Sequence, residues 1–152
     1  MGDGIIEVNE FVGEFAFPKW RALATARAEY DNYSLIWQTS FLDAVRADED
    51  VIADDVFGFA NDGVSNSDTC LGPDAGDELC RNVNTAGDYF LHNVSLTYRS
   101  DDFSIGFGVR NVFDREPPRI DTASVFGTNN VPLGAGYDLN GRRVFANFTK
   151  TF

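Results

Sequence analysis

The chain has 152 residues, enough for one domain, with 43% hydrophobic and 14% aromatic side chains and a formal net charge of −12. That charge argues against a nucleic-acid partner, whose phosphates need a basic surface, and equally against docking on anionic lipid through a polybasic surface. No apolar run reaches the roughly 18 residues that a transmembrane helix needs.

The opening stretch MGDGIIEVNE has neither the basic region nor the apolar core of a signal peptide. The chain is therefore expected to be cytosolic or to lack its native N-terminus. Phe alone supplies 14 residues, and an aromatic, Gly-rich chain points to β structure.

The first predicted strand is Lys19–Tyr30. Its even positions (Trp20, Ala22, Ala24, Ala26, Ala28, Tyr30) are apolar, and its odd positions are mostly charged. Alanine favours helix, but helical spacing would scatter the arginines and Glu29 around the cylinder and lose that separation. Asp31–Asn32 reads as a two-residue hairpin turn. The second strand runs from Tyr33 to about Asp43, with Tyr33, Leu35, Trp37, Thr39 and Phe41 on one face and Ser34, Gln38 and Ser40 on the other, together with Ile36 and Leu42.

A long segment, Ala44–Asp88, follows, with eleven acidic residues against Arg46 and Arg81, so most of the net negative charge sits there. Its run Ala47–Asp55 could attract Ca²⁺ or a cationic ligand, but the spacing does not match an EF-hand loop, and a solvated acidic loop is the plainer reading. Cys70 and Cys80 lie within CLGPDAGDELC, a Gly/Pro/Asp-rich stretch. Two cysteines without other soft ligands make a poor zinc site. They read as a disulfide closing a short surface loop, with two free thiols as the alternative. A disulfide implies an oxidising compartment, which conflicts with a cytosolic start.

The third strand is Tyr89–Arg99 and the fourth Phe103–Phe113, joined by a tight Ser-Asp-Asp turn. Phe90, His92, Val94, Leu96 and Tyr98 oppose Asn93, Ser95, Thr97 and Arg99. Phe103, Ile105, Phe107, Val109 and Phe113 oppose Ser104, Gly106, Gly108 and Arg110. A second long segment runs from Asp114 to about Gly136. Leu139–Gly141 could form a hairpin by the Asn-Gly rule, but its flanks are short, so it reads as an irregular entry to the last strand. That strand places Val144, Ala146, Phe148 and Phe152 on one face, broken by Lys150; Phe145 is the exception on the other face.

Tight turns therefore alternate with long loops on an antiparallel meander, the pattern of an outer-membrane barrel. Tyr30, Tyr33, Tyr98, Phe103 and Phe152 fall in one aromatic row near the tight turns. Trp20, Phe41, Phe90 and Phe113 fall in a second row near the loops. Ten residue steps at about 3.3 Å, tilted near 40°, span roughly 25 Å, the height of an apolar barrel band. Ordinary core aromatics of a soluble sheet are the competing reading. Lys150 can run its stem through lipid to the headgroups. His92 fits an interfacial position better than a ligand role.

The stretches FSIGFGVRNVFDREPP and NNVPLGAGYDLNGRRVFANFTKTF resemble the C-terminal end of TonB-dependent outer-membrane receptors. In that family the penultimate strand commonly ends in Asn-(Leu/Val)-Phe-Asp, here Asn111–Asp114, with Arg115, Glu116, Pro117 and Pro118 after it. The last strand opens Tyr-Asp-x-x-Gly-Arg, here Tyr137, Asp138, Gly141 and Arg142, and closes on Phe. Phe15–Ala22 is similar to the family's Pro-x-Trp-Arg strand entry. The resemblance covers the chain from about Phe11.

It implies an all-β fold: an antiparallel meander of about five long strands, the last five of a 22-stranded transmembrane barrel. Residues 1–18 would be an extracellular loop or the end of a preceding strand, and residues 19–152 the five strands. The tight turns would face the periplasm, making Tyr30, Tyr33, Tyr98, Phe103 and Phe152 the periplasmic girdle. Cys70 and Cys80 would pin an extracellular loop. Phe148 and Phe152 would be the signal read by the barrel-assembly machinery. The other implied partners are outer-membrane lipid, the TonB complex through an N-terminal part, and a small nutrient such as an iron–siderophore, cobalamin or glycan.

The chain departs from the family in having no plug domain, no segment resembling a TonB box and only five strands. Those strands cannot close a single-chain barrel, whose minimum is about eight, and an open edge in lipid is forbidden. Strands one and five run in the same direction, so oligomers would need parallel seams. Ile5–Phe15 could add a sixth strand without closing the ring. A fragment of a larger receptor is therefore expected. One histidine, no nucleophile–base spacing and no phosphate loop give no enzyme, no cofactor and no metal site to name. GFGVRN is no dinucleotide fingerprint; its glycines thin one face of a strand. The alternative is a soluble or secreted β module that binds ligands through its acidic loops, with Ca²⁺ as a candidate aid.

Overall fold

A computed structural model of the chain describes residues 12–46, 64–65, 71, 74–76, 79–81, 83–120, 127–128 and 130–150. Among them there is no helix; all regular structure is β. One five-stranded sheet dominates: β1 (Arg21–Tyr30), β2 (Tyr33–Leu42), β3 (Tyr89–Arg99), β4 (Phe103–Arg110) and β5 (Arg143–Lys150). Spatial order follows chain order and every pairing is antiparallel, so the sheet is a pure meander.

The strands form where period-2 alternation is strongest. Tyr30 pairs with Tyr33 across the two-residue turn, and Asp31 takes the left-handed backbone (φ 50°) that Asp tolerates. The second tight turn is closed by Ser100 N–H donating to Phe103 O at 2.8 Å, and Arg99 N–H ties the two turns together through Asn32 O at 2.9 Å.

Two strand bounds differ from the sequence expectation. β1 starts at Arg21 rather than Lys19, although Asp43 N–H still donates to Trp20 O at 3.0 Å. β4 stops at Arg110 rather than Phe113, because Asn111 turns to φ 53° and leaves the extended region. Val112 N–H nevertheless reaches His92 O at 2.8 Å, so the chain stays alongside β3 for two more residues. Leu139–Gly141 is an irregular lead-in to β5 and not a hairpin. Ile5–Phe15 adds no strand within its described part: residues 12–17 make turns, with a single parallel bridge from Glu14 to Arg46.

The loops fold on themselves at one end of the sheet. Val45–Arg46 pairs with Thr85–Ala86, continuing the β2–β3 hairpin beyond the sheet. Arg46 N–H donates to Gly13 O, and Phe15 N–H to Arg46 O, so the segment before β1 docks beside that extension. Ile120, from the segment after β4, is fully buried there with Val45 and Ala86, against Phe15 and Tyr137. Small pairings also join residues 127–128 to 131–132 and link 64–65, 74–76 and 79–81.

Among the described residues no core lies under the sheet. Every residue of β1 and β5 is exposed, as expected for the two strands with an unpaired edge. On the central strands the register stacks Leu35 beside Leu96, Trp37 beside Val94, and Leu96 beside Phe107, and Leu35, Leu96, Ile105 and Phe107 are all exposed. A monomeric soluble protein rarely leaves a contiguous apolar patch of that extent uncovered.

Candidate functional site

Two surfaces and one knot of polar side chains could carry function. The first surface is the apolar face with its aromatic ends. At the turn end, Tyr30, Tyr33 and Tyr98 stand in consecutive register positions on β1, β2 and β3. The Tyr33 and Tyr98 rings lie 5.1 Å apart, Tyr98 and Phe103 5.9 Å, and Phe103 and Phe148 6.1 Å. A continuous aromatic band thus crosses the sheet at that end. Lys150 is the register partner of Phe103, at the end of β5 that meets the band.

At the loop end, Phe41 and Phe90 pair in register with rings 4.9 Å apart, and Phe113 packs edge-on to His92 at 5.1 Å and tilted to Trp37 at 6.3 Å. Trp20 is exposed just beyond them. Eight residue steps separate Tyr33 from Phe41; at about 3.3 Å per step this is roughly 26 Å along the strands, or about 20 Å along an axis tilted by 40°. His92 is not isolated on this face. Its Nδ1 lies 2.9 Å from Thr39 Oγ1, and Trp37 Nε1–H donates to the same hydroxyl at 3.3 Å.

The second surface is the polar face. Its strand-borne charges are Arg21, Arg27, Arg99, Arg110 and Arg143, opposed by Glu29 alone, so the wall is basic within an acidic chain. Arg27 pairs with Glu29 at 2.5 Å, both well exposed. Phe145, the apolar exception of β5 on this face, has an explanation in the register. It pairs with Gly108 and lies flat across it; a Cβ on Gly108 would sit 2.3 Å from Phe145 Cζ. Asn147 covers Gly106 in the same way, with Oδ1 2.0 Å from where a Cβ would be. The glycines thin β4 so that β5 side chains can fold over it. Together with segment 136–138 the face encloses a concavity of about 580 Å³, lined among others by Gln38, Asn93, Arg110, Tyr137, Arg143 and Phe145.

The knot sits where β3, β4 and β5 meet the loops. Asn111 is buried, and both its amide donors and its carbonyl oxygen are engaged. Its Nδ2 donates to Arg115 O at 3.0 Å and to Asp138 Oδ2 at 3.2 Å, while Oδ1 accepts from Arg115 N–H at 2.7 Å. Its backbone N–H donates to Asn93 Oδ1. Tyr89 OH donates to Arg115 O and accepts from Asp138 N–H, each at 3.3 Å. Asp138 Oδ1 also takes Asn140 N–H and Arg143 Nη2, both at 3.2 Å. Asp114 Oδ1 accepts Arg142 N–H at 2.8 Å. The two C-terminal motifs thus stitch the exit of β4 to the entry of β5. Gly141, at φ +69°, supplies the left-handed turn between them. Burial pushes the Tyr137 phenol above its ordinary value, with Tyr89 adding to the effect and Arg21 opposing it.

Of the residues singled out from sequence, Tyr30, Tyr33, Tyr98, Phe103 and Phe148 come together in the turn-end band. Phe152, Cys70 and the acidic run Ala47–Asp55 lie outside the described residues. Cys80 is described only by its backbone, which pairs with Ser65 and Asp74. Sequence reading missed the Asn111–Tyr89–Asp138 hub as a hub. The signal available was an Asn where the alternation of β4 breaks. Among the described residues no three His, Cys, Asp or Glu side chains cluster as metal ligands.

No family model matches the chain, and no curated protein sequence matches it. Among solved structures it is similar to a mutant of the ferric enterobactin receptor from Pseudomonas aeruginosa, at 21% identity and a TM-score of 0.45. The similarity covers 87% of this chain, which spans 16% of the length of that structure.

Proposed function

We propose that the chain is part of a TonB-dependent outer-membrane receptor that takes up a scarce small nutrient. In this reading the sheet is the last five strands of a 22-stranded barrel and residues 1–18 lead into it from outside. The apolar face meets lipid, and the basic face lines the lumen. The tight turns face the periplasm, and the loops, with Cys70 and Cys80 bridged, form the external vestibule. A plug and a TonB-contacting segment belong to the rest of the receptor, and the barrel-assembly machinery reads the end of β5. The substrate class stays at an iron chelate, cobalamin or glycan.

One observation carries the reading: among the described residues the sheet's broad apolar face is uncovered, backed by no core and bounded at both ends by aromatics. Hydrocarbon satisfies such a face, and interfacial aromatics suit its two margins. A soluble binding module would leave it wet. The open edges of β1 and β5 are what neighbouring strands of a closed barrel would pair.

Expression as a membrane protein tests this. The barrel reading expects partition into detergent and heat-modifiable gel migration of the full-length protein. A soluble monomer that unfolds cooperatively without detergent would overturn it. Deleting Phe152 is expected to impair assembly more than deleting a residue of Ala47–Asp55.

A further inference from the structure

We propose that His92, on the apolar face just inside the loop-end aromatic row, donates its Nε2–H to the acyl-ester carbonyl of a membrane lipid. The proposal rests on the barrel reading, in which this face meets lipid, and it names the lipid group that one point of the face holds.

Thr39 and His92 are register partners, and they interrupt the apolar run between the Tyr33–Tyr98 and Phe41–Phe90 pairs. Three polar groups meet there. Trp37 Nε1–H donates to Thr39 Oγ1 at 3.3 Å, and Thr39 Oγ1 lies 2.9 Å from His92 Nδ1. An indole can only donate, so it takes one lone pair of the hydroxyl. A neutral imidazole carries its proton on one nitrogen. Were that Nδ1, it would take the second lone pair, and the Thr39 hydroxyl hydrogen and a bare Nε2 would both be left over. With the hydroxyl donating to Nδ1, only the Nε2–H is left over. The second arrangement strands fewer polar groups and so fixes the tautomer.

Among the described residues no side-chain oxygen or backbone carbonyl accepts from Nε2. Phe113 stands edge-on to the imidazole at 5.1 Å, and an aromatic ring is a weak acceptor. His92 is only half-buried, so its ring reaches the surface.

The surroundings choose the acceptor. The pair lies two residue steps inside Phe41–Phe90, about 7 Å along the strands, or about 5 Å toward the bilayer centre at a tilt of 40°. Interfacial aromatics mark the headgroup level, and the acyl linkages lie just inside it, where headgroup joins chain. There an unpaired N–H is costly, because hydrocarbon offers no partner. An ester carbonyl accepts without bringing charge into the apolar band. A phosphate sits further out and suits a cation.

Urea unfolding of the full-length protein tests the site, in vesicles of a diester phosphatidylcholine and of its diether analogue with the same chains and headgroup. The pH is set to about 8, where an ordinary imidazole is neutral. The folded protein is expected to be favoured in the diester lipid. His92→Phe keeps a ring and removes the donor, so it should cut that preference about two- to tenfold, the range of one net hydrogen bond. If His92→Phe does not migrate as folded, His92→Leu takes its place. Nitrogen-15 spectra of histidine-labelled protein identify His92 as the signal missing from the variant. They should show the proton on Nε2 and an Nε2 resonance that differs between the two lipids. An equal ester preference in protein and variant, a proton on Nδ1, or an Nε2 resonance indifferent to the lipid would overturn the site. The first is also what a phosphate acceptor, present in both lipids, would give. Heat-modifiable migration in both lipids reports the barrel separately. A protein that inserts and lacks the preference loses the site alone, and one that inserts in neither lipid loses the barrel reading as well.

Discussion

The two faces of the five-stranded sheet are built from the same strands and obey opposite rules. The apolar face stacks side chain against side chain in register, Tyr33 on Tyr98 and Phe41 on Phe90, and stays uncovered. The basic face does the reverse: large groups lie over glycines, and arginines outnumber carboxylates. One face is uniform and repetitive and the other is particular. A uniform apolar face suits a solvent without directional contacts, while a particular face suits recognition. The same residue change should therefore have different consequences on the two faces.

The largest effect is expected from a charge on the apolar face near mid-strand. Leu96→Arg should destabilise the folded protein in lipid by about 2–4 kcal/mol, the cost of a cation near the bilayer midplane. Thr97→Arg, its chain neighbour on the opposite face, should cost well under about 1 kcal/mol, since surface changes away from special features are usually small. Urea unfolding in lipid vesicles measures both. Equal costs would abolish the distinction between the faces, and with it the barrel reading.

Next comes the buried hub at the loop end. Asn111→Ala strands the Arg115 N–H, removes one of the two donors to the Arg115 carbonyl and takes a partner from Asp138. It also puts a residue with less tolerance for φ 53° at that position. A loss of about 2–3 kcal/mol is expected, from unsatisfied buried groups. Asn111→Asp keeps shape and backbone preference but faces Asp138 with a second carboxylate, so it should not rescue. If Asn111→Asp proves neutral, the hub is held by backbone geometry and not by its side-chain hydrogen bonds.

That hub also marks where sequence reading stopped working. The five strands were legible because alternation is local: residue i and residue i+2 share a face whatever else the chain does. Their order was legible because tight turns force neighbours to pair. The end of β4 was not, since Val112 and Phe113 continue an acceptable pattern and only the turn at Asn111 breaks it. Nor was the small core of Val45, Ala86 and Ile120, which gathers single apolar residues from segments with no period. Phe145 looked like an error of alternation because its reason, Gly108, lies on another strand. Tyr89, Asn111 and Asp138 meet across 22 and 27 residues of chain, and no spacing rule reaches that far.

A smaller effect is expected where a glycine on the basic face is filled. Gly108→Ala would put a Cβ 2.3 Å from Phe145 Cζ and 2.9 Å from Val94 O. The ring can swing away, but the carbonyl cannot, so about 1–3 kcal/mol is expected, in the range for overpacking. Phe145→Ala in the same protein should recover part of that loss, because the two residues share one contact and their effects should not add. Full additivity in a double-mutant cycle would mean that the Val94 carbonyl alone sets the cost.

The smallest effect should come from the exposed Arg27–Glu29 pair. With both side chains more than half exposed, Glu29→Gln should change stability by less than about 1 kcal/mol. It would also leave arginine as the only charge on the strand-borne polar face among the described residues. A larger loss would mean that the summed charge of that wall, and not the pair alone, sets the cost. Raising the ionic strength should then restore stability, because the Debye length shrinks and the arginines cease to repel. Urea unfolding of the full-length protein in lipid vesicles at low and high salt separates the two.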